Sequence, residues 1–280
     1  MARAWQCGRF EVPLASTLVM GVLNVTPDSF SDGGVYADPI AAVERGRQMV
    51  TEGAHIIDVG GESTRPGADD VSPSREIMRV RPIIKALARD YGVPVSVDTR
   101  NAEVARAAVK AGASIINDVS GFRDADMIEV ALSCDAGLVI MHMLGEPKTM
   151  QAEPRYGDVV DEVASYLLGR ARTLEEYGIA RERICIDPGI GFGKNLEHNL
   201  ELLRRLHEIA VLGYPVLVGA SRKSLIGAVL GEPDPARRLE GSLAIAAWSA
   251  AHGADIVRVH DVEATVRTLK MWRAIKGENA

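Results

Sequence analysis

A set of polar side chains sits where short apolar runs end: Asn24, Asp58, Asp98, Asn117, Asp118, His142, Asp187, Ser221, Lys223, Arg258 and His260. The clearest case is Ile184-Cys185-Ile186-Asp187, which breaks at once into Pro188-Gly189-Ile190-Gly191-Phe192-Gly193-Lys194. It reads as a buried strand closed by a carboxylate and followed by a loop of unusual backbone freedom. One such acid could simply cap the next helix; its recurrence along the chain favours a shared site. The acids and Asn117 suit a ligand rich in N–H donors. Lys223, Arg258 and His260 suit an anion or a carbonyl on the same ligand. Arg258 and His260 are two apart, so on a strand they share a face. Ser221-Arg222-Lys223 opens a helix, whose backbone N–H groups are expected to help hold an anion.

Each residue also has a plainer reading. Asp58 and Asp118 could be rim acids paired with neighbouring cations, since buried charge needs a partner. His142, between Met141 and Met143, fits a satisfied core histidine, and Arg258 with His260 could belong to a structural ion-pair cluster. The chain carries no HExxH spacing, no GxGxxG at its first strand-to-helix turn and no Walker loop.

The elements that must position these groups repeat. Strand-like runs occur at 18–26, 55–61, 93–99, 115–121, 138–143, 184–187, 215–221 and 255–260, and most are followed by a helical pattern. The helices are expected near 41–52, 74–91, 102–110, 125–133, 159–177, 196–209, 242–251 and 262–275, with a kink or break at Pro82. Continuous Val/Ile/Leu runs mark strands buried on both faces. Gly-Ala pairs at 53–54, 112–113 and 253–254 mark helix stops. Eight strand-then-helix units in 280 residues predict an α/β protein, a closed (β/α)8 TIM barrel forming a single domain over 1–280. Residues 5–14 suggest a short N-terminal hairpin or plug. In a barrel of this kind the strand ends listed above share one mouth.

The net charge of -6 offers no basic footprint for nucleic acid or an anionic membrane. Three separated cysteines, Cys7, Cys134 and Cys185, suggest neither a disulfide framework nor a CxxC metal site. With no apolar run near membrane-spanning length, the expected location is the cytoplasm.

Longer blocks carry a family resemblance. Met20-Gly21-Val22-Leu23-Asn24-Val25-Thr26-Pro27-Asp28-Ser29-Phe30-Ser31-Asp32-Gly33-Gly34 and Asp58-Val59-Gly60-Gly61-Glu62-Ser63-Thr64-Arg65-Pro66-Gly67 resemble the first two signatures of bacterial-type dihydropteroate synthases. Val97-Asp98-Thr99, Ile116-Asn117-Asp118, Asp187 to Lys194, Gly219 to Ser224 and Arg258 to Val262 resemble the rest, in the family's order. The resemblance implies condensation of 6-hydroxymethyl-7,8-dihydropterin diphosphate with p-aminobenzoate, giving 7,8-dihydropteroate and pyrophosphate by an SN1-like transfer. It implies that Asp98, Asn117, Asp187 and Lys223 bind the pterin, with Met141 and Phe192 flanking its ring. Asn24, Arg65, Arg258 and His260 would hold the diphosphate, with Asn24 also at a Mg2+ ion. Thr64, Pro66, Ser221, Phe30 and Pro27 would serve p-aminobenzoate, two mobile loops supplying all but Ser221. Lys223, Asp98, Arg258 and His260 would carry catalysis. Sulfonamide sensitivity and a homodimer formed through C-terminal helices follow from the same resemblance.

Two rivals keep the pterin pocket: a methyltetrahydrofolate-corrinoid methyltransferase and a catalytically silent pterin-binding homologue. The first needs neither diphosphate cations nor an aminobenzoate loop. The second is opposed by the retained Asn24, Asp98, Lys223 and Arg258. A generic phosphate-binding barrel, such as an aldolase, leaves Asp98 and Asp187 unexplained.

Overall fold

The computed structural model describes residues 3–25, 39–62, 71–146, 150 and 153–277. A hairpin comes first: β1 (Ala4–Cys7) pairs antiparallel with β2 (Phe10–Pro13). The main sheet is parallel, built from β3 (Leu18–Asn24), β4 (Ile56–Gly60), β5 (Val95–Asp98), β6 (Ile115–Asp118), β7 (Gly137–Met141), β8 (Ile184–Asp187), β9 (Leu217–Val218) and β10 (Ile256–Val259). Its order is β8-β7-β6-β5-β4-β3-β10-β9. A parallel bridge between Ile186 and Val216 joins the outer edges, closing the eight-stranded barrel.

The helices are α1 (Pro39–Thr51), α2 (Pro73–Asp90), α3 (Ala102–Ala111), α4 (Ala125–Leu132), α5 (Val159–Glu176), α6 (Leu196–Arg204), α7 (Leu206–Ala210), α8 (Ser224–Leu230), α9 (Leu239–Ala251) and α10 (Val262–Lys276). Gly112 ends α3 at φ 113, a left-handed position that suits the helix stop read from its Gly-Ala pair. Two helices differ from the simplest reading. Of the kink or break expected at Pro82, no break occurs in α2, because Pro82 is on the exposed face, where water can serve the carbonyl that loses its partner. The helix expected over 196–209 divides at Arg205 into α6 and α7. There the Arg205 guanidinium leaves the helix to reach Asp158 at 2.8 Å, the N-cap acid of α5.

Strand periodicity sorts each apolar run into two cores. Val19, Ile57, Val97, Ile116, Ile140, Ile186 and Val257 face the helices and join the large outer core. Met20, Ile56, Ile115, Val139, Cys185, Leu217 and Ile256 face inward and meet Trp5, Cys7 and Val12 of the hairpin. The hairpin is therefore a plug in the lower end of the barrel. Trp5 is fully buried and its indole donates to the Arg183 carbonyl at 2.8 Å. Advancing two residues from each plugged position gives the next inward layer: Asp58 above Ile56, Asn117 above Ile115, Met141 above Val139, Asp187 above Cys185 and Arg258 above Ile256. The residues that could do chemistry occupy the open end, and the lower end is sealed. No described helix is long and apolar enough to cross a membrane.

Candidate active site

The centre of the mouth is Arg258, on β10. Its guanidinium forks between two carboxylates: Nε donates to Asp58 Oδ2 at 2.6 Å and an Nη donates to Asp98 Oδ2 at 2.5 Å. Asp58 is fully buried. Its same oxygen accepts the Asn117 side-chain amide at 3.2 Å, so one carboxylate fixes both a cation and an amide. Asp58 thus answers to both readings taken from the sequence: it is a paired acid, and it lies inside the site. Burial works against the Arg258 charge, but Asp58 and Asp98 outweigh it and hold the guanidinium firmly protonated. Burial pushes the Asp98 carboxyl upward, with Arg258 opposing.

Asp187, at the end of β8, accepts the Gly189 N–H at 2.7 Å. Burial raises its pKa, while Lys223 pulls the other way. Lys223 reaches across from the residue before α8: its ammonium donates to the Ile190 carbonyl and lies 4.4 Å from the centre of the Phe192 ring. Burial draws Lys223 down to about 8, opposed by Asp187. Phe192 also packs on an apolar cluster of Val119, Met141, Met143 and Met150. A flat ring bearing N–H and C=O edges would meet acids and an amide on one side, a cation on another and apolar walls on its faces.

Ser221 and His260 come together. The Ser221 hydroxyl accepts the His260 backbone N–H at 3.2 Å and lies 3.1 Å from His260 Nδ1. Asn24 ends β3 at the rim. A Cβ added to Gly60 would stand 3.6 Å from both Asn24 Oδ1 and Asp98 Cβ, so Gly60 leaves room between them. Thr64, Arg65, Pro66, Pro27 and Phe30 lie outside the described residues.

The structure decides between readings that the sequence left open. Asp118 follows the inward-facing Asn117 and therefore points away from the mouth. It accepts the backbone N–H groups of Ser120 and Phe122, both at 2.7 Å, and organises its loop. His142 is a satisfied histidine: its ring meets Tyr166 edge-on at 4.9 Å and its Nδ1 is 2.9 Å from Lys194 Nζ. Helix α8 starts at Ser224 with Lys223 as its N-cap, so Ser221 and Arg222 lie in the turn ahead of it. Arg222 N donates to Ser242 Oγ at 3.0 Å and Lys223 N to the Ala220 carbonyl at 3.3 Å. Arg222 sits at φ 59 and its guanidinium clamps Asp261, tying the loop after β9 to the one after β10. Sequence reasoning also passed over Lys194, whose only signal was a lysine closing a glycine-rich loop.

The family model described as "Pterin binding enzyme" matches residues 20–260. The chain is 51% identical over 280 residues to the dihydropteroate synthase of Neisseria meningitidis serogroup C, covering 98% of this chain and 99% of that one. The chain belongs to the dihydropteroate synthase family. Solved dihydropteroate synthases superpose closely on it. The Burkholderia cenocepacia enzyme complexed with 7,8-dihydropteroate is 47% identical with a TM-score of 0.90, covering 99% of this chain and 97% of that one. The Yersinia pestis enzyme in a sulfonamide drug complex is 41% identical with a TM-score of 0.93, covering 98% and 99%.

The Asp58–Arg258 pair gives a measurable contrast. Asp58→Ala leaves a buried guanidinium with one acid and strips Asn117 of its acceptor, so urea unfolding should show a loss of about 3–5 kcal/mol. Glu44→Ala, which breaks a solvent-screened exposed pair with Arg47, should change stability far less in the same assay. Equal losses would show that the buried fork is not the stronger structural element.

Proposed function

We propose that the barrel mouth joins 6-hydroxymethyl-7,8-dihydropterin diphosphate to p-aminobenzoate by a loose, SN1-like transfer, with each residue in the role its position suits. The observation that carries this reading is the opposed donor and acceptor set around one slot: Asp98, Asn117 and Asp187 against Lys223, between Met141 and Phe192. The acids and the amide would accept the pterin's amino and ring N–H groups. Lys223 would exchange the Ile190 carbonyl for the pterin's carbonyl and ring nitrogen. Arg258, His260, Asn24 and Arg65 would receive the diphosphate, and Ser221 would stand near the aminobenzoate carboxylate, with Thr64, Pro66, Pro27 and Phe30 around the second substrate.

The chemistry fits these groups. Pyrophosphate leaves readily once cations take up its charge, and the pterin ring nitrogens delocalise the cation left on the exocyclic carbon. The arylamine is already nucleophilic, so no strong general base is required. His142 is engaged with Lys194, and the Ser221 hydroxyl lies against His260.

A Mg2+ ion fits this mouth as company for the diphosphate. Among the described residues no group of three or more His, Cys, Asp or Glu could hold a metal by itself. Mg2+ commonly takes most of its oxygens from substrate phosphates and water, and Asn24 Oδ1 would add one from the rim. When bound, the ion would take up charge developing on the departing diphosphate.

A homodimer in the cytoplasm is the proposed working form. Val229 and Leu230 on α8, Trp248 on α9, and Met271 and Ile275 on α10 are all exposed. Helices α8 and α9 are neighbours, as are α9 and α10, so these exposed apolar side chains lie on adjacent elements of the C-terminal half, where they would contribute to an association surface.

Pyrophosphate release, assayed with the dihydropterin diphosphate and Mg2+, should depend on p-aminobenzoate and fall by about 100-fold or more in Lys223→Ala, which removes a buried charge-assisted donor. A sulfonamide should suppress it in competition with p-aminobenzoate. Wild-type protein that binds pterin but releases no pyrophosphate would move the assignment to a silent homologue. The Lys223 ammonium is the donating form, and it is lost as pH rises through about 8. Hence kcat/KM for the pterin substrate should fall above that pH, and Lys223→Arg should move the alkaline limb upward; an unchanged limb would assign it to another group. In sedimentation velocity, Leu230→Glu with Met271→Glu should convert a dimer to monomer, and a monomeric wild type would dismiss the dimer.

A further inference from the structure

Lys194 is a lysine with 2% of its surface exposed, on a loop that belongs to the mouth. Full burial of an ammonium is costly unless its donors are all met. Here they are: Nζ lies 2.9 Å from the Gly189 carbonyl, 3.0 Å from the Phe192 carbonyl, 2.9 Å from His142 Nδ1 and, more distantly, 3.4 Å from the His142 carbonyl. An ammonium has three N–H donors and accepts nothing, so the three shorter contacts are enough to meet every donor. His142 Nδ1 must then be the acceptor, which places the imidazole proton on Nε2 and leaves the ring neutral. Burial and the Lys194 charge push His142 down to about 3; burial draws Lys194 itself down to about 7, opposed by Asp187, and its ammonium form is the one these acceptors hold.

The contacts bring two loops into close apposition. A Cβ at Gly189 would fall 1.9 Å from the His142 carbonyl oxygen, and one at Gly193 would fall 2.7 Å from that of Leu144. The surrounding carbonyls are engaged as well. Gly193 O accepts the Tyr156 hydroxyl at 2.8 Å, and Lys194 O accepts the Asn199 amide at 3.2 Å. The loop held in this way presents two features to the mouth: the Ile190 carbonyl, which takes the Lys223 ammonium, and the Phe192 ring, 4.4 Å from it.

We propose that Lys194 is a positioning residue for the pterin pocket, its ammonium acting as the loop's own bound cation that gathers the Gly189 and Phe192 carbonyls and the His142 ring, and so sets where Phe192 and Lys223 stand. The proposal rests on the pterin-binding reading of the mouth. It assigns to Lys194 no contact with substrate. A lysine that merely filled space would be replaceable by any side chain of similar volume, whereas a cation is not.

The test compares wild type, Lys194→Met and Lys194→Ala by steady-state dihydropteroate formation. Wild-type turnover is measured first, so that failure of the pterin reading is seen separately. Lys194→Met keeps the volume and removes the charge. Loss of charge-assisted hydrogen bonds that position the pocket should raise KM for the dihydropterin diphosphate about tenfold or more, with kcat within about threefold and KM for p-aminobenzoate within about twofold. Lys194→Ala should behave alike and recover with added propylammonium, which restores the missing stem and charge, but not with 1-propanol. An unchanged pterin KM in folded Lys194→Met would overturn the proposal. So would rescue by propanol equal to rescue by propylammonium, or a fall in kcat with both KM values unmoved. If circular dichroism shows Lys194→Met unfolded, Lys194→Gln retains a donor without the charge; a raised pterin KM there supports the proposal and an unchanged one overturns it.

Discussion

The Arg258 guanidinium between Asp58 and Asp98 is the interaction on which the mouth depends. A barrel interior is a poor solvent for charge, and a carboxylate stranded there would neutralise itself or destabilise the fold. Arg258 lets two acids stay in it, and Asp58 shares the oxygen that holds Arg258 with Asn117. On the other wall Asp187 feels both Lys223 and Lys194. Buried acids and cations thus offset each other in the unliganded site, and the ligand is not asked to neutralise a large field. It needs to offer donors and acceptors in the right places.

Most of this was legible because a strand run carries its own parity. Isoleucines and valines on one set of positions face the helices, and the alternate positions either meet the plug or enter the mouth. Arg258 enters the mouth two residues beyond Ile256, whereas His260 lies past the end of β10 and outside its parity. Asn117 and Asp118 could not be separated so easily. They are neighbours, both polar and both at a strand end, and it takes the folded sheet, with Ile115 on the plug and Asn117 opposite Asp98, to show which one faces inward. Parity within a strand is local information. The choice between the two parities is set by the sheet.

What stayed hidden depended on contacts between loops distant in sequence. His142 and Lys194 are 52 residues apart, and neither belongs to a spacing that would announce the other. The same holds for Arg222 with Asp261, and for the Ser242 hydroxyl that takes the Arg222 N–H. That last bond fixes the turn ahead of α8 through a side chain of α9, which no local pattern announces. Pro82 failed as a helix breaker for a related reason, since the consequence of a lost hydrogen bond depends on whether the bereft carbonyl faces water, and that depends on packing.

The two cations of the slot are held in different ways, and the difference bears on how substrate enters. Arg258 is bound to carboxylates, so a neutral ligand cannot displace it without losing two charge-assisted bonds. It is therefore best regarded as part of the frame, available to a diphosphate that brings its own negative charge. Lys223 rests on a backbone carbonyl and over an aromatic face. Moving it to a pterin carbonyl exchanges one neutral acceptor for another, with little net change in electrostatic energy. In the proposed reaction the uncharged ring would be recognised by Lys223, which can exchange its acceptor, and the charged leaving group by Arg258, which stays on its acids. A dissociative transfer would be served by this division, because the group that steadies the ring would remain on it after the carbon–oxygen bond has broken.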